Sequence, residues 1–168
     1  MRAKSHSCRP LGVDEMIRVS DETIDAPKAL AAFERDMSDA GAIVSFTGQV
    51  RPQSASGEVS TLFLQAYSLM TESGIESALA EAQRRWPLSG VHILHRTGEM
   101  RAGETIVFVA TASKHRRAAF EAADFLMDYL KTEAVFWKKE TTPDGATWIE
   151  PRQGDYQDAA RWQTEKVE

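Results

Sequence analysis

The chain is 168 residues long, enough for one compact domain with a core of ordinary size. Its 25 acidic against 20 basic residues leave a net charge of −5, which argues against a coat for nucleic acid while leaving room for a local basic site. The single cysteine excludes an internal disulfide framework and a CxxC-type zinc site, and no apolar run approaches the roughly 20 residues that cross a bilayer.

Residues 1–15 are polar and aperiodic, contain Cys8, Pro10 and Gly12, and read as a loose arm without the pattern of a secretory leader. Residues 16–20 alternate apolar and polar as a short strand. Asp25 then caps a helix with apolar positions at Leu30, Phe33 and Met37, closed before Gly41. Residues 42–51 are rich in β-formers and run into 52–57, a stretch of turn formers without an apolar anchor that predicts a mobile loop. A strand over 59–67 follows. Thr71 opens a helix with the buried stripe Ile75, Leu79, Ala82 and Trp86, stopped by Pro87.

Residues 91–96 form a strand, 98–103 a turn, and 105–111, the most apolar strand, pairs back. Ser113 caps a helix over 114–131 with Ala119, Ala123, Leu126 and Leu130 inward and Glu121, Asp124 and Asp128 on the other side. A hairpin over 134–140 and 147–150 turns about Pro143-Asp144-Gly145, and the polar tail from Gln153 holds one short helix around 159–162. Hairpins mixed with helices predict an α+β domain over 16–162, with a polar tail at 163–168, rather than a doubly wound parallel sheet.

Lys114, His115, Arg116 and Arg117 crowd the first turn of the third long helix, where the macrodipole is already positive. Free N–H groups with arginine forks make an anion site there, most naturally for phosphate; the other reading is a solvated basic turn paired with acids. Lys131 ends that helix, and Lys138 follows Phe136-Trp137. An amine held against aromatic surface loses its proton more readily and serves as base or nucleophile, whereas a surface lysine would merely cover Trp137. Arg51, at a strand end, and Arg152, after Pro151, stand where ligand-gripping residues are common. His92 and His95 lie three apart in a strand and so face opposite ways, and no metal site is expected.

Phe46-Thr47-Gly48-Gln49-Val50-Arg51, Arg85-Trp86-Pro87-Leu88, His95-Arg96-Thr97-Gly98-Glu99, Ser113-Lys114-His115-Arg116-Arg117-Ala118-Ala119-Phe120-Glu121-Ala122, Met127-Asp128-Tyr129-Leu130-Lys131-Thr132 and Phe136-Trp137-Lys138-Lys139-Glu140 occur in that order. Together they resemble the large, catalytic subunit of molybdopterin synthase over about residues 16–162, with 115–140 the most specific run. The resemblance implies an α/β hammerhead fold and a cytoplasmic homodimer carrying a small ubiquitin-like subunit at each end, a heterotetramer without nucleic-acid or membrane partners. It implies transfer of two sulfurs from the small subunit's thiocarboxylated Gly-Gly end to cyclic pyranopterin monophosphate, forming the molybdopterin dithiolene. By the matching motifs Lys131 and Lys138 would be catalytic, and Arg51, His115, Arg116 and Arg152 would grip the substrate, the last across the dimer, with no cofactor or metal. One cysteine cannot supply two sulfurs, which agrees with a donor from outside the chain. Pro52-Gln53-Ser54-Ala55 and Gln65 depart from the residues usual in such relatives. The alternative is a non-catalytic adaptor for a ubiquitin-like tail, which would need the groove but not the lysines.

Overall fold

The structure is a computed structural model that describes residues 17–163 apart from Ser56 and Val135. The expected arm, with Cys8, and all but the first residue of the expected tail lie outside the described residues. In chain order the elements are β1 (Ile17–Ser20), α1 (Ala26–Asp36), β2 (Ala42–Gln49), β3 (Gln53–Ser54), β4 (Gly57–Glu58), β5 (Thr61–Ala66) and α2 (Ser68–Arg85). There follow β6 (Leu88–Arg96), β7 (Gly98–Arg101), β8 (Thr105–Ser113), α3 (Arg116–Thr132), β9 (Phe136–Thr142), β10 (Gly145–Ile149), α4 (Gln153–Ala160) and a 3-10 turn, Arg161–Gln163.

The first sheet runs β1-β6-β8-β2, with β1 parallel to β6 and the other pairs antiparallel. Side chains alternate across it with period two. Val91, Ile93, Val107 and Val109 pack against Ile75, Leu79 and Ala82 of α2 and Leu126 and Leu130 of α3. Leu94, Phe108 and Ala110 point the other way, onto Phe33 of α1. With both faces covered, β8 is buried along most of its length, which is why it reads as a continuous apolar run.

The second sheet, β10-β9-β5-β7, is wholly antiparallel. Leu62, Leu64 and Met100 turn inward with Val50 and Val59, while Phe63, Trp137 and Trp148 stay exposed on the outer face. The mixed architecture is the α+β class expected from the sequence.

Several boundaries differ from the sequence reading. Residues 98–103 are more than a turn: Gly98 and Gly103, at φ +78° and +87°, frame β7, whose Met100 is fully buried. The 52–57 segment, expected as a mobile loop, contains the small antiparallel ladder β3-β4. Helix α2 starts a turn before Thr71, because the Thr71 hydroxyl accepts the Tyr67 N–H at 3.1 Å. Ser113 is not the cap of α3; it remains in β8, its hydroxyl donating to the Pro87 carbonyl at 2.9 Å, and His115 takes the cap position. The acidic side of α3 is partly covered by the C-terminal segment: Asp128 accepts from Trp162 Nε1 at 2.7 Å and from Arg161 at 2.8 Å.

Gly41 packs so closely on the backbone of Lys114 that a Cβ there would overlap the Lys114 carbonyl oxygen. Gly41→Ala is therefore expected to destabilise the fold by about 1–3 kcal/mol, read as a lower urea midpoint with an unchanged slope.

Candidate functional site

A cavity of about 600 Å³ opens where the end of β2, the inner face of the second sheet, the last turn of α3 and the start of α4 meet. Arg51, Lys131, Lys138 and Arg152 all line it, with Glu140, Glu150 and Asp155 as the carboxylates and His95 among the lining groups. Phe46, Leu62, Leu64, Ile106 and Met127 supply apolar wall.

Each side chain is aimed by its local backbone. Buried Val50 fixes the chain after β2 through its N–H to the Glu104 carbonyl (2.9 Å) and its carbonyl to the Gly103 N–H (2.8 Å), and Arg51 follows directly. On β9 the strand alternation sends Phe136, Lys138 and Glu140 to the inner face and Trp137 and Lys139 outward. Lys139 Nζ lies 5.6 Å from the centre of the Trp148 ring, so it is Lys139, not Lys138, that covers the outer aromatics. Lys131 sits beside buried Leu130 on the last turn of α3. Arg152 stands at the N-cap of α4, its N–H bonded to the Asp155 carboxylate at 2.8 Å.

Electrostatics single out two groups. Burial, reinforced by the Lys131 charge and opposed by Asp155, lowers Lys138 to about 8. Burial also lowers His95 to about 3, with Lys138 and Lys131 adding to it against a hydrogen bond to the Arg96 backbone. One oxygen of Glu140, Oε2, is enclosed without a hydrogen-bond partner.

His115 and Arg116 are not part of this cavity. They lie in a second cleft, of about 590 Å³, with Gly41, Lys114, Arg117, Phe120 and Glu121. Arg116 and Lys131 are separated by 15 residues of uninterrupted helix, about 22 Å along the axis at ~1.5 Å per residue. A single chain therefore does not gather all six expected residues around one ligand; it gathers four, and Arg152, expected from across the dimer, lines the cavity of its own chain. In the second cleft Arg117 pairs with Glu121 at 3.3 Å, whereas Lys114, His115 and Arg116 make no ion pair among the described residues. The cleft thus keeps donors free for an anion.

Sequence reasoning passed over His95 and Glu140. The alternation of β9 places Glu140 on the same face as Lys138, a signal that could have found it. His95 has no such signal, because a lone strand histidine is indistinguishable from an ordinary core residue. Among the described residues there is no cluster of three His, Cys, Asp or Glu suited to a metal, and no helix is long and apolar enough to cross a membrane.

Comparison with known proteins identifies the family. The model of the MoaE protein family matches residues 19–133. The molybdopterin synthase catalytic subunit of Escherichia coli K12 is 50% identical over 129 residues, covering 77% of this chain and 85% of that one. The subunit of the same name from Pseudomonas aeruginosa PAO1 is 47% identical over 147 residues, 88% of this chain and 98% of that one. Among solved structures, the molybdopterin biosynthesis MoaE protein of Burkholderia ambifaria superposes with a TM-score of 0.75 at 43% identity, covering 89% of this chain and 99% of that one. Molybdopterin synthase of Staphylococcus aureus gives 0.67 at 28% identity, with coverages of 78% and 94%. A family match over most of the described domain, with two curated relatives of one name matched over most of their length, establishes that the chain belongs to the MoaE family of molybdopterin synthase catalytic subunits.

Proposed function

We propose that the Lys131–Lys138 cavity receives the thiocarboxylated Gly-Gly end of a small ubiquitin-like partner and passes its sulfur to cyclic pyranopterin monophosphate, two transfers building the molybdopterin dithiolene. The observation that carries this reading is the convergence of two amines and two guanidinium groups on one cavity, with Lys138 lowered to about 8. At pH 7 about a tenth of such an amine is unprotonated, against well under a thousandth for an ordinary lysine.

In each transfer the thiocarboxylate sulfur forms a bond to a precursor carbon as a carbon–oxygen bond of that carbon breaks and its oxygen leaves with a proton. The carbonyl–sulfur bond then breaks as water adds to the acyl carbon and releases the partner's carboxylate. Lys131 and Lys138 hold the anionic sulfur and supply or remove protons; Lys138 is also set to attack the acyl carbon. Arg51 and Arg152 suit the precursor's negative charge. His115 and Arg116, some 22 Å along α3, reach a bound precursor only if a second copy lays its helix start at the cavity. This is the reason to read the working unit as a homodimer with one small partner at each end. A reducing, cytoplasmic setting suits a thiocarboxylate donor.

Purified protein mixed with the precursor and a thiocarboxylated small partner is expected to yield molybdopterin; absence of product would overturn the reading. Arg116→Ala is expected to weaken precursor binding at least tenfold in calorimetry, since a charge-assisted hydrogen bond contributes about 1.5–3 kcal/mol. Unchanged affinity would remove the helix start from the substrate site.

A further inference from the structure

We infer that His95 is a positioning residue of the sulfur-transfer cavity, its bare Nε2 serving as the uncharged hydrogen-bond acceptor against which the Lys138 amine is set. The inference rests on the proposed reading of that cavity and adds to it a residue with a distinct task.

The tautomer follows from the ring's surroundings. His95 Nδ1 lies 3.1 Å from the backbone carbonyl of Arg96. A carbonyl only accepts, so Nδ1 carries the proton and Nε2 carries a lone pair. The one described hydrogen bond of the ring is at Nδ1. Nε2 is also not among the sealed, partnerless polar atoms of the described residues, which are Arg96 Nε and Glu140 Oε2. The residue is 6% exposed and lines the cavity, so its unsatisfied nitrogen borders that cavity rather than packed protein.

The ring is also held rigidly. Its backbone is paired on both sides, with Val19 of β1 and Val107 of β8. Its face stacks on Phe136, centroids 3.9 Å apart and planes within 16°. Phe136 and Lys138 share the inner face of β9, which sets the imidazole one side-chain step from the Lys138 stem.

The chemistry of the cavity asks for such a group. Lysine and arginine offer donors only, so Arg51, Lys131 and Arg152 cannot anchor the Lys138 amine, and Lys131 repels it when both are charged. A carboxylate in contact would anchor it but restore its proton affinity. Among the described residues Glu140 makes no ion pair with Lys138, and Asp155 is the only acid of those residues that raises the lysine's proton affinity. A neutral imidazole orients the amine and leaves it able to lose its proton. Burial and the charges of Lys138 and Lys131 keep the ring neutral throughout the working range.

Three substitutions separate this task from simple packing. His95→Gln places an amide oxygen near the position of Nε2. His95→Asn keeps a donor near Nδ1 but leaves the Nε2 position empty, and His95→Phe keeps the stacked ring without nitrogens. Single-turnover sulfur transfer is measured with precursor and thiocarboxylated partner, alongside thermal melting. The expected result is a rate for His95→Gln within about threefold of wild type, with His95→Asn and His95→Phe lower by tenfold or more in the saturating single-turnover rate and little changed in the precursor concentration that gives half of it. Equal rates in all four proteins would overturn the inference. So would equal losses in all three variants, or losses that follow the melting temperature, since these report packing. Lys138→Ala is the control: if wild type makes no product, or Lys138→Ala makes as much, the cavity reading itself fails and the inference falls with it. An active wild type with a dead Lys138→Ala confines any negative result to His95.

Discussion

Lys138→Ala is expected to slow molybdopterin formation by two to four orders of magnitude while leaving the fold intact. General acid–base or nucleophilic assistance by one positioned group is worth about that much. Its position adds specificity, because the neighbouring Lys139 faces the Trp148 side of the sheet and cannot substitute. The pH dependence offers a second signature. If the free amine acts, the wild-type rate rises with pH and levels off above about 8, the value to which burial and Lys131 bring the group. Lys138→Arg, permanently charged, removes both the rise and most of the rate. Stability changes with pH in the same direction as for a salt-bridged acid, because both groups have a lowered folded-state pKa, but here the rise is relief of a burial penalty on the charged amine. The unfolded chain holds the Lys138 proton more tightly than the folded one, so stability climbs between about pH 8 and the ordinary lysine range. That climb disappears in Lys138→Ala. Retention of more than a tenth of the wild-type rate would take Lys138 out of the chemistry.

Trp86→Ala carries the largest expected cost to stability, about 3–5 kcal/mol, from deleting a large side chain that is only 9% exposed. The ring meets Phe125 at 5.5 Å and Trp162 edge-on at 5.7 Å, and its Nε1 donates to Glu121 at 2.9 Å. The deletion therefore opens a void, leaves a carboxylate without its donor and removes the surface on which Trp162 rests. Trp162 follows α4, whose N-cap is Arg152 and whose first turn carries Asp155, both on the cavity wall. Faster amide exchange in α4 is expected alongside the lower urea midpoint, with Trp86→Phe recovering much of both. A loss below about 1 kcal/mol would mean that the aromatic cluster collapses to fill the gap.

The parts of the fold legible in the sequence are those with many-residue periodicity. The apolar run of β8 and the inward Ala119, Ala123, Leu126 and Leu130 of α3 carry their own register, and all four are buried. The parts missed are short. β7 has four residues, the first of them Gly98, and β3-β4 pairs two residues with two, so neither has room for a pattern. At the site, the amines and guanidinium groups were legible as residue types, but their grouping was not. The separation of Arg116 from Lys131 could have been read from helix length alone, since fifteen residues of helix place two side chains far apart whatever surrounds them. His95 is the reverse case. Its meaning lies in a carbonyl, a stacked ring and two charges that come from elsewhere in the fold.

Helix α3 also acts as a ruler. It holds one set of cations at each tip, and its buried seam against the first sheet forbids sliding. Adding or removing one residue midway would swing Lys131 about 100° around the axis and throw half of the seam out of phase. Drift in this lineage can therefore exchange residues along the rod, but it cannot alter the rod's length without dismantling the core and the spacing of its two tips together.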